Sequence, residues 1–333
     1  NKLINGDFSV AQRGTSFTST DSANNNDAYT LDRWYILSDG NDVVDVTQNT
    51  SAVPTNQLYA IALDVETANK KFGIAQIISN KNIVDLKGNE VTLSFKAKVS
   101  DASKLDNVKA AIVAWSGTAD TVTSNIINAW NSENANPTPI TNATFENTPA
   151  NLNVTTSWVT YTVTATVDTS GTNNIIVFIW SDVTDTTAGH FLYLTDIQLE
   201  KGPTNTPFER KSYDQQLLDC QVYFYSHADI ENAPIGMGSY YQNTYVSTQI
   251  GFPTTMRTPP TSIVVTNDTN DFIVYRNSGN DPIDTLVRDG NSLSKNMAEV
   301  YATGTQVSGT AGQIGTIRVN GASGGKLQFD SEL

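Results

Sequence analysis

The sequence FLYLTDIQLEKGPTNTPFERKSYDQQLLDCQVYFY occupies residues 191–225, and it decides how the fold of the whole chain is interpreted. Its first part predicts a strand that ends near Leu199, because apolar residues alternate imperfectly with polar ones. Gly202 and two prolines then interrupt this pattern. A short helix is predicted next, with Ser212 as its N-cap and an apolar patch around Leu217. The stretch therefore predicts that a β domain ends here and that a brief helix leads into a second domain.

Short β segments precede this stretch. The clearest is EVTLSFKAKV at residues 90–99, where polar and apolar residues alternate as in a half-buried strand. Many short strands without alternating helices predict an antiparallel sandwich, and a jelly roll limits the exposed edges of its two sheets. The last strand should pair close to the first, which places residues 5–8 beside residues 195–199. Residues 117–150 are rich in Asn, Thr, Pro and Ala, and they predict a long excursion over one face of this domain.

The length of 333 residues is typical of two domains. We predict an all-β protein with an N-terminal jelly-roll β-sandwich over residues 1–210, a linking helix over residues 211–225 and a second, smaller β-sandwich over residues 226–333. Candidate strands of the second domain include residues 238–246 and residues 299–303. Glycines near the end of the chain supply the turns between such strands.

The charge and composition of the chain disfavour several classes of partner. Its formal net charge is −14, so duplex nucleic acid and anionic membranes are not expected to bind it. No stretch is long and apolar enough to predict membrane insertion, and no signal peptide is recognised. The first residue is Asn1 rather than methionine, so we expect more polypeptide upstream. Cys220 is the single cysteine, which excludes an intrachain disulfide and is consistent with a buried apolar role.

The sequence offers no catalytic site. A glycan hydrolase needs a matched pair of carboxylates, and none of the 34 acidic residues lies in such a motif. His190 and His227 are the two histidines, and neither has the context of a nucleophile or of a zinc site. No phosphate-binding loop is present. We therefore predict that the protein is not an enzyme and requires no cofactor.

The five tryptophans are the first candidates for ligand contacts. Trp34 and Trp158 are predicted to be core residues, because large aromatic side chains are usually buried. Trp115 and Trp180 end apolar strands, so core packing is favoured for both, with glycan binding as the alternative. Trp130 lies in the polar excursion, and an exposed indole there could stack on the apolar face of a sugar ring.

Tyr240 and Tyr241 are the corresponding candidates in the second domain, with Tyr245 close by. An exposed tyrosine can contact a sugar through its ring and its hydroxyl group. Tyrosines are also enriched at protein interfaces, so a protein contact is the alternative for this pair.

Several motifs resemble one group of proteins. LTDIQLEKG followed by TPFERKSYDQQLLDCQVYF resembles tail-fibre and related virion surface proteins of tailed bacteriophages. LINGDFSVAQRGTSFT and YTLDRWY are similar to the same group and to carbohydrate-binding jelly-roll modules, and FPTTMRTPPTSIVV and SGGKLQFDSEL resemble its C-terminal domain. The resemblance implies a carbohydrate-binding-module-like jelly roll and a non-enzymatic protein on the virion surface, as a tail fibre, receptor-binding protein, head fibre or capsid decoration.

The resemblance also implies partners and a metal. The expected partners are copies of the same chain, with a homotrimer as the default, other virion proteins and a cell-surface glycan. Related jelly rolls hold a structural calcium, for which Asp7 and Asp196 would be the ligands here. In the alternative interpretation, Asp7 caps a turn and Asp196 pairs with a lysine or arginine.

Two other functions are compatible with the sequence. The chain could be a pair of carbohydrate-binding modules from a secreted glycan-active enzyme or a bacterial surface protein. It could also be a purely structural capsid cement protein that binds no sugar.

Overall fold

The computed structural model describes residues 1–18, 27–260, 262–264, 270–277, 279–291, 294–321 and 323–333. These residues form two compact units, residues 1–216 together with Leu333, and residues 217–332. Almost all the regular structure is antiparallel β-strand, which confirms the predicted all-β fold class. Among the described residues, no helix is both long enough and apolar enough to cross a bilayer.

The first unit is a jelly-roll sandwich in which several consecutive strands alternate between two sheets. Its strands are β1 (Ser16–Phe17), β2 (Tyr35–Ser38), β3 (Val44–Asn49), β4 (Ala60–Val65), β5 (Phe72–Ile78), β6 (Glu90–Val99), β7 (Val108–Trp115), β8 (Ile127–Ala129), β9 (Thr138–Pro139), β10 (Ala143–Phe145), β11 (Val159–Thr166), β12 (Asn174–Ser181) and β13 (Phe191–Lys201). A 3-10 turn at Asn80–Asn82 and helix α1 at Ala102–Leu105 lie between strands.

One sheet of this unit has six strands in the order β1-β3-β4-β13-β6-β11, and the other has five in the order β10-β7-β12-β5-β2. Strands β8 and β9 pair separately. Alternation along β6 places Leu93 and Phe95 in the core between the sheets and directs Lys96 and Lys98 to the outer face. The six-stranded sheet therefore has one apolar and one polar face.

The start of the chain lies against the last strand of the jelly roll, as predicted. The Ile197 amide donates to the Gly6 carbonyl oxygen over 2.9 Å. A Cβ atom on Gly6 would lie 1.9 Å from the Ile197 carbonyl oxygen, so only glycine permits this approach. Trp34 is fully buried beside this junction, as predicted, and its Nε1 donates to the Asn5 carbonyl oxygen over 2.9 Å.

The five-stranded sheet is buried on both faces. Strands β7 and β12 consist almost entirely of apolar residues, and every residue in them is buried. Residues 117–150, which we call the covering segment, pack Val122, Ile126 and Ile127 over the outer face of this sheet. The predicted excursion over one face is thus observed, and its apolar residues close a second hydrophobic core.

A buried ion triad joins the covering segment to the sheet. Asp182 is fully buried and contacts the ammonium groups of Lys71 and Lys109, with 2.8 Å between Lys109 Nζ and Asp182 Oδ2. The same carboxylate accepts a hydrogen bond from the Asn134 amide over 2.8 Å, and Lys71 donates to the Ser132 carbonyl oxygen over 3.0 Å. Because both acceptor and donor contacts reach residues 132–134, the triad fixes the covering segment in place.

Helix α2 (Tyr213–Gln221) lies within the range predicted for the linking helix, and the division between the two units falls inside it. The Gln215 amide donates to Ser212 Oγ over 3.3 Å, so Ser212 acts as the predicted cap. Cys220 is buried, in agreement with its predicted apolar role.

The second unit is a smaller sandwich of a seven-stranded sheet and a three-stranded sheet. Its strands are β14 (Phe224–Ala228), β15 (Pro234–Gln242), β16 (Tyr245–Gly251), β17 (Ser262–Val264), β18 (Phe272–Tyr275), β19 (Asp281–Ile283), β20 (Val287–Arg288), β21 (Met297–Thr303), β22 (Ile314–Val319) and β23 (Leu327–Asp330). The seven-stranded sheet has the order β19-β18-β22-β15-β16-β21-β20, and the three-stranded sheet has the order β14-β23-β17.

One strand prediction in this unit is wrong. Residues 238–246, predicted as a single strand, are divided by a turn, so that β15 ends at Gln242 and β16 begins at Tyr245. The two strands pair as a hairpin, with Tyr240 opposite Val246. This turn brings Tyr241 and Tyr245 onto neighbouring strands.

Candidate functional site

Trp115 and Trp180 are core residues, which corrects their candidacy as glycan contacts. Trp180 is 0% exposed and stacks on Phe178 with 4.6 Å between ring centroids. Trp115 is buried in the same cluster, and its Nε1 donates to the Thr118 carbonyl oxygen over 3.1 Å. The covering segment lies over both rings, so a ligand cannot reach them in this conformation.

Trp130 and Trp158 are both half-buried. Trp130 belongs to the covering segment and packs edge-on against Phe178, with 5.9 Å between ring centroids. Trp158 was predicted to lie in the core. It lies instead next to Tyr193 with 6.4 Å between ring centroids, near the start of β11.

Tyr240 has a structural role rather than an accessible one. Its side chain is 1% exposed, and its hydroxyl group donates to Asp281 Oδ2 over 2.7 Å. The Arg276 guanidinium lies 5.1 Å from the ring centroid. Burial, and then the contact with Asp281, raise the pKa of the Tyr240 hydroxyl well above its ordinary value. A ligand would have to disrupt this arrangement to reach the ring.

Tyr241, in contrast, belongs to an accessible group that we call the tyrosine groove, which it lines together with Tyr245. Tyr301 does not line the groove but supports the Tyr245 ring. Tyr241 is 76% exposed and meets Tyr245 edge to face, with 6.1 Å between ring centroids. Tyr245 stacks on Tyr301 with 5.1 Å between centroids and an angle of 16° between the rings. Alternation along β16 and β21 directs Tyr245 and Tyr301 away from the core of the second unit.

Polar groups surround these rings. The groove has a volume of about 790 Å³ and is lined further by Gln242, Ser247 and Glu299. Burial, and then the nearby Glu299 carboxylate, raise the pKa of the Tyr245 hydroxyl above its ordinary value, so the hydroxyl is a neutral donor at physiological pH. The groove therefore combines aromatic ring faces with hydrogen-bond donors and acceptors.

Asp7 and Asp196 occupy the positions given by the alternative interpretation. Asp7 Oδ1 accepts hydrogen bonds from Ser9 Oγ over 3.0 Å and from Gln216 Nε2. Asp196 is 5% exposed, and its carboxylate contacts Lys96 Nζ at 3.0 Å and an Arg210 nitrogen at 3.6 Å.

These contacts do not fit a calcium site. Two cationic groups already neutralise the Asp196 carboxylate, whereas calcium requires six to eight oxygen ligands, usually with more than one carboxylate. Among the described residues, no group of three or more His, Cys, Asp or Glu side chains is arranged to hold a metal ion.

Sequence reasoning missed two features. Tyr301 was placed correctly in a candidate strand, but its contact with Tyr245 depends on the register of β16 and β21, which the sequence does not reveal. It also missed a polar cleft on the first unit that contains Lys96, Asp196 and Arg210. Alternation along β6 could have indicated that Lys96 and Lys98 share an exposed face.

No protein-family model matches the chain, and no curated protein matches it in sequence. Its structure is similar to that of a family 4 carbohydrate-binding module, at 17% identity and a TM-score of 0.33, over 60% of this chain and 98% of that one. It is also similar to a xylan-binding domain from Paenibacillus barcinonensis, at 14% identity and a TM-score of 0.32, over 57% of this chain and 94% of that one.

A third similar structure is the enzymatically active domain of tailspike protein 4 of bacteriophage CBA120. The identity is 15% and the TM-score 0.34, over 54% of this chain and 21% of that one. The chain thus spans about a fifth of the length of the tailspike domain. At these identities and scores, the similarities do not assign the chain to a family.

Proposed function

We propose that the protein is a glycan-binding adhesion protein without enzymatic activity and that the tyrosine groove is its binding site. The observation that carries this proposal is the exposed Tyr241 beside the stacked pair of Tyr245 and Tyr301. The C–H faces of a sugar ring pack well on such aromatic rings. Gln242, Ser247 and Glu299 are placed to bind the hydroxyl groups of the sugar.

The biological setting that we propose is the surface of a tailed-phage virion, as part of a tail or head fibre or as a capsid decoration. The resemblance of several sequence motifs to those of virion surface proteins supports this setting. We further propose that the chain acts as a homotrimer next to other virion proteins, and that it contacts a cell-surface glycan. Several copies on one particle would compensate for weak binding at each site through avidity.

The test is glycan binding by the full chain. A glycan array identifies ligands, and calorimetry then compares the wild type with Tyr241→Ala and Tyr301→Ala. We expect each variant to bind about fivefold more weakly, which corresponds to about 1 kcal/mol. Tyr241→Ala removes an aromatic surface of the groove, and Tyr301→Ala removes the ring on which Tyr245 stacks. Tyr275→Ala is the matched control, since Tyr275 is an exposed tyrosine of the same sheet that does not line the groove.

Unchanged affinity in both groove variants would contradict the assignment of the site. The same samples, incubated with the bound glycan, should release no reducing ends. Measurable release would show that the protein is an enzyme and would contradict the non-enzymatic part of the proposal.

A structural role without sugar binding is the second candidate. Met237, Ile314 and Tyr275 are exposed large apolar side chains on the outer face of the seven-stranded sheet. Exposed apolar surface of this kind is typical of protein contacts. A glycan array without ligands, together with reduced stability of particles that lack the protein, would favour this candidate.

A further inference from the structure

The outer face of the six-stranded sheet in the first unit carries a cleft of about 290 Å³. We call it the β6 cleft, because Ser94 and Lys96 of β6 form its floor together with Thr160 of the neighbouring strand β11. Phe208 and Arg210 of the loop after β13 form one wall. The volume suits a small polar ligand such as one sugar unit.

This loop is held firmly against the sheet. The Gln198 side chain donates to the Thr206 carbonyl oxygen over 2.8 Å and accepts from the Glu209 amide over 3.1 Å. The Glu200 carboxylate accepts from the Thr206 amide over 3.0 Å. The wall of the cleft is therefore preorganised, which lowers the entropy cost of binding.

Asp196 organises the cationic groups of the β6 cleft. It lies in a β-bulge, where the register of β13 shifts between Thr195 and Gln198, and its φ is +53°. The bulge redirects this carboxylate towards the outer face, where it contacts Lys96 and Arg210. Gln57 Nε2 also donates to the same carboxylate, which leaves Asp196 buried and saturated.

Lys96 and Arg210 keep unused donors. An ammonium group has three N–H donors and a guanidinium has five, and each group contacts one carboxylate here. Among the described residues, neither makes a further hydrogen bond. Their side chains are 33% and 49% exposed, so these donors are accessible to a ligand.

An aromatic surface continues from the cleft along β6. Lys98 follows Lys96 on the same face, about 7 Å further along the strand. Its ammonium group lies 4.9 Å from the ring centroid of Tyr193 and 5.6 Å from that of Trp158. No carboxylate pairs with Lys98 in the part of the chain that the structure describes. Three cationic groups thus share one face of a protein whose net charge is −14.

We propose that the β6 cleft binds the carboxylate of an acidic sugar unit through Lys96 and Arg210, while the adjoining unit of the same glycan contacts Trp158 and Tyr193 beside Lys98. Carboxylates form strong, charge-assisted hydrogen bonds with ammonium and guanidinium groups. The aromatic rings add the apolar contact that a pyranose ring requires. This inference rests on the proposed glycan-binding function, but it concerns a second site and a specific sugar chemistry.

The experiment measures binding of oligogalacturonate and polysialic acid oligosaccharides to the full chain by calorimetry. Methyl-esterified oligogalacturonate serves as the neutral match, and a sulfated oligosaccharide reports on general anion binding. We expect at least one carboxylated ligand to bind about tenfold more tightly than the neutral match, with an affinity that falls as salt is added. Tighter binding of the sulfated ligand than of both carboxylated ligands, or no binding of any carboxylated ligand, would overturn the proposal.

Variants locate the site. Lys96→Gln should remove most of the preference for the acidic ligand, because Lys96 would contact its carboxylate. Lys98→Gln should lower the preference by a smaller factor, through the lost positive charge beside Trp158 and Tyr193, and it leaves every ion pair of Asp196 intact. Lys81→Gln is the control, because Lys81 is an exposed lysine of the same unit that does not line the cleft. A preference that survives both Lys96→Gln and Lys98→Gln would overturn the assignment to this cleft.

The two proposals can fail separately. Tyr241→Ala and Tyr301→Ala should leave the preference for the carboxylated ligand unchanged, since both residues belong to the second unit. If acid preference is absent while the tyrosine variants weaken binding of a neutral glycan, only the β6 cleft proposal fails. If the tyrosine variants have no effect while Lys96→Gln removes binding of the acidic ligand, only the tyrosine groove proposal fails.

Discussion

At the residue scale, the buried carboxylate of Asp182 shows how strongly one side chain can determine local stability. Its two lysine partners, Lys71 and Lys109, have almost no exposed side-chain surface. Each ion was removed from water on folding, and the contacts among the three ions, together with hydrogen bonds to the covering segment, offset that cost. Removal of the central negative charge would leave two buried positive charges close together.

We predict that Asp182→Asn destabilises the first unit by about 3–5 kcal/mol, the usual cost of breaking a buried ion pair. Tryptophan fluorescence during denaturant unfolding measures this directly, because all five tryptophans lie in the first unit. Asp185→Asn is the control. Asp185 is exposed and pairs with Lys104 on the surface, so its loss should cost less than about 1 kcal/mol. Equal effects of the two substitutions would contradict this account.

The carboxylate of Asp64, in contrast to that of Asp182, lowers the stability of the first unit when it is ionised. Burial, and then the nearby carboxylates of Glu66 and Asp45, raise the pKa of Asp64 to about 6. Its folded pKa therefore exceeds its unfolded pKa of 3.8, and the ionised form is less favourable in the folded protein. The resulting loss of stability is absent below the unfolded pKa, grows between the two pKa values and is complete above the folded one.

We predict that Asp64→Asn raises the stability of the first unit at about pH 8 and has little effect at about pH 4. The gain at the higher pH should be about 1 kcal/mol, because part of the carboxyl group is exposed and the charge repulsion is screened. Thermal unfolding followed by tryptophan fluorescence at both pH values tests this. A gain of the same size at both would show that the charge of Asp64 is not its cause.

At the scale of elements, the sequence predicted strands in which apolar and polar residues alternate regularly. Alternation placed β6 at residues 90–99, where the structure has it. The bulge in β13 was not predicted, because a bulge is a property of two paired strands and leaves no mark on the spacing of one. The hairpin turn between Gln242 and Tyr245 was missed as well, since it contains neither glycine nor proline.

The sequence indicates that both faces of the five-stranded sheet are buried, although the prediction made no use of this signal. Strands β7 and β12 are continuous apolar runs, which indicates that both faces are covered. What covers the outer face could not be read from the sequence, because the covering segment has little periodicity and its contacts are distant in sequence. For this reason Trp115 and Trp180 remained candidates for a ligand that cannot reach them.

We predict that Ile126→Ala costs about 2–4 kcal/mol in the stability of the first unit, since Ile126 of the covering segment is fully buried. A looser covering segment should also make the fluorescence of buried tryptophans more sensitive to acrylamide. Val159→Ala provides the comparison, because Val159 is 41% exposed and should contribute less than about 1 kcal/mol. Unchanged quenching in Ile126→Ala would contradict the proposed role of the segment.

At the scale of the whole molecule, one of two contacts between residues far apart in the sequence was predicted. The contact between Gly6 and Ile197 follows from the logic of a closed sandwich and was predicted. The return of the last residue was not. Leu333 belongs to the first unit, and the Tyr29 hydroxyl group donates to its carbonyl oxygen over 3.1 Å. A contact across 304 positions has no local pattern from which it could be inferred.

The two proposed binding surfaces also depend on contacts between distant residues, which the sequence does not reveal. The residue types that bind sugars were recognised in the sequence, and Tyr241 was among them. Their accessibility depends on which sheet face is covered, and this is decided only when distant segments meet. The sequence therefore identified aromatic candidates. The fold shows which of them are exposed, and it adds Trp158 and the Tyr301 ring that supports Tyr245.

The covering segment has a further consequence for handling and durability. A protease cut between Val122 and β10 would loosen the part of the covering segment that shields buried tryptophans from water. Exposure of Trp115 and Trp180 would add apolar surface to the cleaved protein, so aggregation should follow cleavage.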